Sequence, residues 1–452
     1  MSPVRENPQT TIDSDLLVVG AGAKAAAIAT KVHVLNTLGL TNLSMRIIEA
    51  AEPAASWLGR NGMTSGEEPL AVAPVKDVGF PYNSHQAFGA AGEEIDRAMM
   101  AFSWQQYLIF MRRYARWIDA GLPAVQHREY GRYLTWALSQ ATTGVQLLSA
   151  RVRQLTPDVQ TQSWLVEADS AKARLSCRCR AVVLTGPGVH RQISHDPGVA
   201  ERIFHCDSRR VEFERIPLEQ NADIAIIGGG ESALSSLALL RGSRPAARFT
   251  VYTPELPMSR GESFLENRVF SDPDEAAWES LEPHTRRAFV KHGDRGVFDP
   301  RTLSEIAYDD RCRFVTGRVE HVGMAESGAL IHYRPSGGAA VSQHDYVINC
   351  TGFDLLEQLR LLMTRDAREE LQRHVGPLWG QPSQQEVPIG RHLELDGLRP
   401  MLHVPGLAGL SQGPGFANLG CLGILANRVL EPLIALESEP TSTRQTAVTR
   451  TI

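Results

Sequence analysis

Two glycine-containing segments have the spacing that binds a phosphate-bearing cofactor, and each follows an apolar run. They are Gly20-x-Gly22-x-x-Ala25 and Gly228-x-Gly230-x-x-Ala233. In such a turn the first glycine permits the tight bend, the second lets a pyrophosphate approach the backbone, and the small third residue lets a helix pack on the strand. The N–H groups at the helix N-terminus then face the phosphates. Two such turns in one chain predict two dinucleotide sites.

The strand after each glycine turn indicates which dinucleotide binds there. The first, "MRIIEA", ends on Glu49, an acid that can accept hydrogen bonds from the adenosine ribose of FAD. The second, "RFTVYTP", has Thr253 at its end. Because an acid would repel a 2′-phosphate, its absence permits NADPH, with Arg260, Arg241 or Arg244 as the positive partner. A solvated surface position is an equally good interpretation of each arginine taken alone.

These turns require an α/β fold with two Rossmann-like dinucleotide-binding domains, one for FAD and one for NADPH. The order of the segments predicts that the second domain is inserted in the first, beside a small, mostly helical substrate region. We predict that residues 1–215 form the first part of the FAD domain and 216–344 the inserted NADPH domain. Residues 345–435 would return to the FAD domain and the substrate region, and 436–452 would form a flexible tail.

The composition excludes several classes of partner. The chain has 452 residues, a hydrophobic fraction of 43% and a net charge of −5, which disfavours nucleic acid or an anionic membrane. Its six cysteines form no dense framework, so reduced thiols and no metal site are predicted. The N-terminal stretch "MSPVRENPQTTID" lacks a secretory pattern, which predicts a cytoplasmic protein that acts on a small molecule.

Seven stretches together resemble the flavin-dependent N-hydroxylating monooxygenases of siderophore biosynthesis, most closely the mycobactin and nocobactin type of L-lysine N6-hydroxylase. The glycine turns are shared by many flavoproteins, whereas "KDVGFPY" and "ENRVFSDP" are far more specific. The stretches are "VVGAGAKA", "KDVGFPY", "SWQQYL", "IIGGGES", "RGESFLENRVFSDP", "DRGVF" and "LSQGPGFANLGCLG". They are spread over nearly the whole chain, so the resemblance is not confined to one domain.

The resemblance implies a reaction that uses FAD, NADPH and O₂ to convert L-lysine to N6-hydroxylysine. NADPH reduces FAD, the reduced flavin adds O₂ to give a C4a-hydroperoxide, and the substrate nitrogen attacks its distal oxygen. No protein nucleophile is required, so no catalytic side chain is predicted. The protein would hold the flavin, exclude water and orient the amine. Since the free amine has a pKa near 10.4, only about one molecule in 10³ to 10⁴ is neutral at pH 7.

The same resemblance implies a substrate site. Lys76 would anchor the α-carboxylate, and Asn267 would be its polar companion at the substrate and nicotinamide. Asp294 would line the amine end, where ornithine-specific relatives commonly have asparagine. The family's serine near the C-terminus aligns with Gly420, so one expected hydroxyl is missing. Asp77 is left out of the predicted site, as a residue that balances or orients its neighbour.

For the flavin, the resemblance implies that Trp57 packs near the isoalloxazine. It also implies that Thr351 and Gly352 belong to a flavin-contacting segment. For assembly it implies only self-association into a homo-oligomer, by analogy.

Several alternatives stay open. One is an N-hydroxylase of L-ornithine or of a diamine; a diamine has no carboxylate, so Lys76 would lose its partner. Another is a flavoprotein NADPH oxidase, or a flavin-binding scaffold, without efficient hydroxylation. A Baeyer–Villiger or sulfur monooxygenase shares both glycine turns but gives no reason for "KDVGFPY". A disulfide reductase would need a C-x-x-C near the flavin, and the sequence has none.

Overall fold

The structure is a computed structural model that describes residues 10–60, 64–207, 213–217, 221–259, 263–293, 298–376 and 387–438. The strands in these ranges are β1 (Thr10–Val19), β2 (Met45–Glu49), β3 (Val145–Ser149), β4 (Arg151–Asp158), β5 (Ser163–Asp169), β6 (Arg174–Leu184), β7 (Val189–His190), β8 (Ile203–His205), β9 (Asp223–Ile227), β10 (Arg248–Thr253), β11 (Cys312–Thr316), β12 (Arg318–Ala325), β13 (Gly328–Arg334), β14 (Ala340–His344), β15 (Tyr346–Asn349), β16 (Phe353–Asp354) and β17 (Met401–His403).

The α-helices in the same ranges vary from one turn to almost five. They are α1 (Ala23–Thr37), α2 (His85–Phe88), α3 (Gly92–Met99), α4 (Trp104–Phe110), α5 (Tyr114–Asp119), α6 (His127–Gln140), α7 (Glu231–Ser243), α8 (Phe264–Ser271), α9 (Glu275–Ser280), α10 (Pro283–Gly293), α11 (Pro300–Ile306), α12 (Leu355–Leu362), α13 (Arg365–Val375) and α14 (Leu422–Ser438). Within the described part of the chain, no helix is both long and apolar enough to cross a membrane.

The first sheet contains seven strands in the order β3-β2-β1-β6-β5-β4, and β17 pairs with β6. Strands β1, β2, β3, β6 and β17 are mutually parallel, whereas β4 and β5 add an antiparallel hairpin. Both faces of β1 are covered, which explains its continuous apolar run: Leu17 and Val18 have no exposed surface. Helix α1 packs against α14 and against β2 and β3, and its small residues Ala25 and Ala26 are fully buried.

The second sheet contains five parallel strands in the order β11-β10-β9-β15-β8. All of them lie between β7 and β16 in sequence, so the fold is α/β with the second unit inserted in the first, as predicted. The sheet extends beyond the predicted segment 216–344, because β8 precedes it and β15 follows it. We therefore propose that the inserted domain spans the chain between β7 and β16.

Two smaller sheets complete the fold. Strands β12, β13 and β14 form an antiparallel meander whose Val322 and Ile331 pack on the second sheet. The two passages of the chain between the larger sheets pair with each other as the antiparallel ribbon β7–β16. Helix α14 continues three residues into the segment predicted as a tail, and the rest of that segment lies outside the described residues.

Candidate functional site

Both glycine turns face one cleft of about 2010 Å³. The cleft is lined by residues of the first sheet, of the second sheet and of the C-terminal loop before α14. The predicted site residues on its wall are Gly20, Gly22, Glu49, Trp57, Gly228, Gly230, Thr351 and Gly352. The fold therefore places the two predicted dinucleotide-binding turns on the wall of the same cleft.

The first turn has the geometry that a close-approaching ligand requires. Gly20 has φ +95°, and a Cβ there would lie 2.6 Å from Oγ1 of Thr185, so only glycine fits. Gly22 differs, because a Cβ there would have no atom within 4 Å. Helix α1 begins at the next residue, and no side chain caps its N-terminus. Gly22 thus leaves open space in front of the N-terminus of α1, which has no side-chain cap.

Glu49 braces this turn. One of its carboxylate oxygens accepts a hydrogen bond from the backbone N–H of Ala21, and the other accepts from the N–H of Ala51, both at 2.8 Å. Each oxygen can accept a further hydrogen bond. Glu49 therefore connects the end of β2 to the turn and also lies on the cleft wall.

The second turn approaches the neighbouring strand even more closely. Gly228 has φ +149°, and a Cβ there would lie 2.3 Å from the backbone oxygen of Cys350 at the end of β15. Gly230 precedes α7, whose N-terminus is again without a side-chain cap. Ala233 is buried with 1% of its surface exposed, so α7 packs tightly on the sheet.

The side chains predicted to recognise a 2′-phosphate have other partners. Thr253 is 2% exposed, and its hydroxyl donates to the backbone oxygen two residues later. Arg244 is 7% exposed and donates to the backbone oxygens of Ile216 and Phe213. Arg241 pairs with Asp309 at 3.5 Å. Arg260 lies outside the described residues.

The remaining residues predicted to contact the flavin lie on the same cleft. Trp57 packs edge-on against Tyr130, with ring centres 5.3 Å apart. The hydroxyl of Thr351 donates to Oδ1 of Asn349 at 2.7 Å, which fixes the turn after β15. Gly352 has φ +93°, and a Cβ there would have no neighbour within 4 Å. The backbone at Gly352 therefore borders the open space of the cleft, with no side chain between them.

Lys76 lies apart from the cofactor loops, in the segment between β2 and α2. Its ammonium donates to Oγ of Ser271 at 3.0 Å and lies 5.7 Å from the ring centre of Phe80. Ser271 is the last residue of α8, which belongs to the inserted unit. The contact therefore joins the "KDVGFPY" segment to the "ENRVFSDP" segment.

Asn267 and Gly420 lie near the same helix end. Asn267 is exposed and precedes Ser271 by four residues, so both project from one face of α8. A Cβ on Gly420 would lie 2.6 Å from the backbone oxygen of Phe270. The C-terminal loop thus packs directly on α8, without room for the serine that the sequence resemblance implies at this position. Asp294 lies outside the described residues.

Comparison with known proteins identifies the family. Residues 98–354 match the model of the L-lysine 6-monooxygenase/L-ornithine 5-monooxygenase family. This span is more than half of the chain. The chain belongs to that family. The L-lysine N6-monooxygenase MbtG of Mycobacterium sp. (strain MCS) is 36% identical over 424 residues, which cover 92% of this chain and 94% of the relative. The family that the sequence resembled is thereby confirmed.

Solved structures of lysine/ornithine monooxygenases share the fold. The lysine monooxygenase NbtG from Nocardia farcinica has a TM-score of 0.79 and 34% identity, covering 92% of this chain and 99% of its own. An ornithine N-hydroxylase from Kutzneria sp. 744, solved with reduced FAD, NADP⁺ and L-ornithine, has a TM-score of 0.73 and 17% identity, covering 94% of this chain and 100% of its own. At 17% identity, the similarity to the ornithine N-hydroxylase shows a shared fold only.

The cleft of this family member also has cationic residues that sequence reasoning missed. Lys24 lies inside the first glycine turn, and its ammonium donates to the backbone oxygen of Ala417 at 3.0 Å. Its position between Gly22 and Ala25 in the glycine motif is the sequence signal that could have identified Lys24. Arg151, Arg191 and Arg318 also line the cleft, and no local motif marks them.

Proposed function

We propose that the protein uses FAD and NADPH to hydroxylate the side-chain amine of L-lysine with O₂, giving N6-hydroxylysine for a hydroxamate siderophore. One observation carries the proposal: the 36% identity with a protein named L-lysine N6-monooxygenase, which spans 92% of the chain. Nearly the whole chain is aligned, so the similarity is not confined to one of the two units.

The geometry of the two turns supports the two cofactors. The open space at Gly22, the uncapped N-terminus of α1 and the acid at the end of β2 together suit the pyrophosphate and ribose of FAD. The uncapped N-terminus of α7 suits the pyrophosphate of NADPH. When bound, the flavin supplies hydride acceptance and oxygen activation. The protein's share is binding, orientation and exclusion of water.

Lys76 supplies the charge that a substrate carboxylate needs. Its ammonium is half-buried and already hydrogen-bonded to the neutral Ser271 hydroxyl. An ammonium has three donors, so it can bind a carboxylate while it keeps this contact. The contact with α8 directs Lys76 toward Asn267, one turn earlier on the same helix face. We assign the α-carboxylate of lysine to this place, with Asn267 as its polar companion.

The reacting amine must be neutral to have a lone pair. Its pKa in water is near 10.4, so a site that shields the amine from water is needed to lower it. Asp294, from the sequence resemblance, would act in the opposite direction by favouring the ammonium. We therefore assign Asp294 to the selection of lysine over ornithine. An Asp294→Asn variant with an unchanged ratio of the two products would overturn that assignment.

The decisive experiment is a substrate panel with purified protein, FAD and NADPH. L-Lysine, L-ornithine, cadaverine and putrescine are compared by hydroxylated product rather than by NADPH loss. We expect L-lysine to give the highest kcat/KM, with cadaverine well below it because it lacks the carboxylate. Preference for a diamine would overturn the role of Lys76. NADPH consumption that yields only peroxide would identify an oxidase instead.

A further inference from the structure

Asp77, the neighbour of Lys76, is a buried carboxylate whose hydrogen-bond partners are all neutral. It is 1% exposed. Its Oδ1 accepts from the backbone N–H of Gly79 at 3.1 Å and from the hydroxyl of Tyr82 at 2.8 Å. Its Oδ2 accepts from the N–H of Trp104 at 2.9 Å. One carboxylate thus connects the "KDVGFPY" segment to the N-terminus of α4.

This arrangement does not serve stability alone. Burial raises the pKa of Asp77 to about 6, and the N–H and O–H donors that lower it offset only part of that effect. An ionised Asp77 is therefore held at a cost in folding free energy at neutral pH. A neutral side chain would avoid this cost, but a carboxylate can accept all three hydrogen bonds on its two oxygens.

The three hydrogen bonds determine the path of the chain just after Lys76. They close a turn that ends at Tyr82, a non-glycine residue with φ +60°. A second support is Tyr133, whose hydroxyl accepts from the N–H of Val78 at 3.1 Å. Asp77 is buried in the core, whereas the ammonium of the adjacent Lys76 reaches Ser271 of the inserted unit.

We propose that Asp77 is a positioning residue that sets where the ammonium of Lys76 meets the substrate carboxylate. The inference rests on the proposed function. It predicts that Asp77 affects substrates with a carboxylate and spares those without one. It also predicts that hydride transfer from NADPH to the flavin is independent of Asp77, since the cofactor turns lie on other segments.

The groups that face Asp77 from the packed elements are phenols and backbone N–H groups. Tyr82 comes from its own segment, Tyr130 and Tyr133 come from α6, and the Trp104 N–H comes from α4. Burial raises the pKa of each of the three phenols far above neutrality, so they stay uncharged. Asp96 and Asp272 contact the same segment through Ser84 and Asn83, so the part of a pH response between about 5 and 7 that Asp77→Asn removes reports on Asp77.

The test compares Asp77→Asn with the wild-type holoenzyme on L-lysine and on cadaverine. In the variant the amide oxygen still accepts from Gly79 and Tyr82, but the amide NH₂ faces the Trp104 N–H, donor against donor. We expect the KM for L-lysine to rise about tenfold and the KM for cadaverine to change less than about twofold. Flavin reduction by NADPH should stay within about twofold of wild type, and less of the NADPH consumed should yield hydroxylamine.

The pH profile gives a second readout. Protonation turns one acceptor of Asp77 into a donor, so the wild-type KM for L-lysine should rise about tenfold as the pH falls from about 7 to 5. The Asp77→Asn variant should lack this rise.

A Tyr82→Phe variant, which removes a single donor, should raise the KM about twofold to threefold. It keeps the proposal testable if Asp77→Asn does not fold. Asp299, buried at 3% exposure and the N-cap of α11, provides the matched control Asp299→Asn, with an unchanged KM for L-lysine.

The outcomes separate this inference from the proposed function. A wild-type protein that hydroxylates L-lysine, with a KM insensitive to Asp77→Asn and Tyr82→Phe, would overturn the positioning role and leave the function standing. Equal losses on L-lysine and cadaverine would mean a purely structural role, which also overturns it. A wild-type protein that hydroxylates none of the amines would overturn both.

Discussion

The ammonium of Lys76 lies 3.0 Å from Oγ of Ser271, although 195 residues separate the two in the chain. Lys76 precedes α2 in the first unit, whereas Ser271 ends α8 in the inserted one. The proposed carboxylate site therefore forms only when the two units are packed together. Substrate binding and the relative position of the two domains are linked through this hydrogen bond.

Removal of the Lys76 ammonium should weaken substrate binding selectively. We expect Lys76→Ala to raise the KM for L-lysine about tenfold to a hundredfold, because a charge-assisted contact with the carboxylate is lost. Reduction of bound flavin by NADPH should be nearly intact, since Lys76 is not on the cleft wall. Steady-state assays of hydroxylated product and stopped-flow flavin reduction measure the two effects separately.

The matched control is Lys172→Ala, which removes an exposed lysine from the β5–β6 turn. It should leave both measurements unchanged. Equal losses of L-lysine binding and flavin reduction in Lys76→Ala would show that Lys76 supports the structure rather than the substrate.

A side chain at Gly22 should block the flavin without harming the fold. Its φ of −88° suits any residue, and a Cβ would meet nothing within 4 Å, so the side chain of a Gly22→Val variant would begin in open space. The valine would occupy the space proposed for the pyrophosphate. We expect at least about tenfold weaker FAD binding, with apoprotein stability within about 0.5 kcal/mol of wild type. Flavin titration and thermal unfolding of the apoprotein test this.

Gly242, an exposed glycine in α7 that also has free space at its Cβ, provides the control Gly242→Val. That variant should retain normal FAD affinity. Tight FAD binding by Gly22→Val would place the pyrophosphate elsewhere.

The serine that the sequence resemblance implies cannot be placed at Gly420 without strain. A Cβ would lie 2.6 Å from the Phe270 backbone oxygen, and that oxygen cannot move aside as a side chain does. We expect Gly420→Ser to lower the free energy of unfolding by about 1–3 kcal/mol and to leave hydroxylation no better. Gly337→Ser, at an exposed glycine with open space around it, is the control. A Gly420→Ser protein would contradict the packing of α8 on this loop if it had normal stability and converted a larger share of the consumed NADPH into hydroxylated product.

Lys31 should make stability depend on pH in the alkaline range. It is 1% exposed, and its ammonium donates to Oγ of Ser84 at 2.7 Å. Burial lowers its pKa from 10.5 to about 8, although Asp96 opposes the shift. Between these pKa values the unfolded chain binds a proton that the folded chain does not, so the Lys31 contribution to stability increases as the pH rises.

Chemical unfolding of wild type and Lys31→Met at several pH values measures this contribution. From about pH 7.5 to 9.5 the stability of wild type relative to the variant should increase by about 2 kcal/mol. The difference between the two proteins cancels the titration of cysteines and tyrosines common to both. A difference independent of pH would mean that Lys31 keeps an ordinary pKa.

Local patterns predicted the two glycine turns between strand and helix, because a glycine turn, its strand and its helix are neighbours in sequence. The positive φ of Gly20 and Gly228 follows from that local chemistry. The partners of Thr253 and Arg244 were not predictable, since they are backbone oxygens that only the folded chain brings near. The three-residue strand β8 was missed because it is too short to show a period, and it extends the second sheet to residues before 216. The contact between Lys76 and Ser271 has no local signal at all.

The ribbon β7–β16 has a mechanical consequence. Residues His190 and Phe353, on the outgoing and returning passages of the chain, are hydrogen-bonded partners rather than independent tethers. Two separate linkers would allow the inserted unit to twist and slide in many directions. Because the two passages are paired as a ribbon, a movement of the inserted unit relative to the first must bend both of them together.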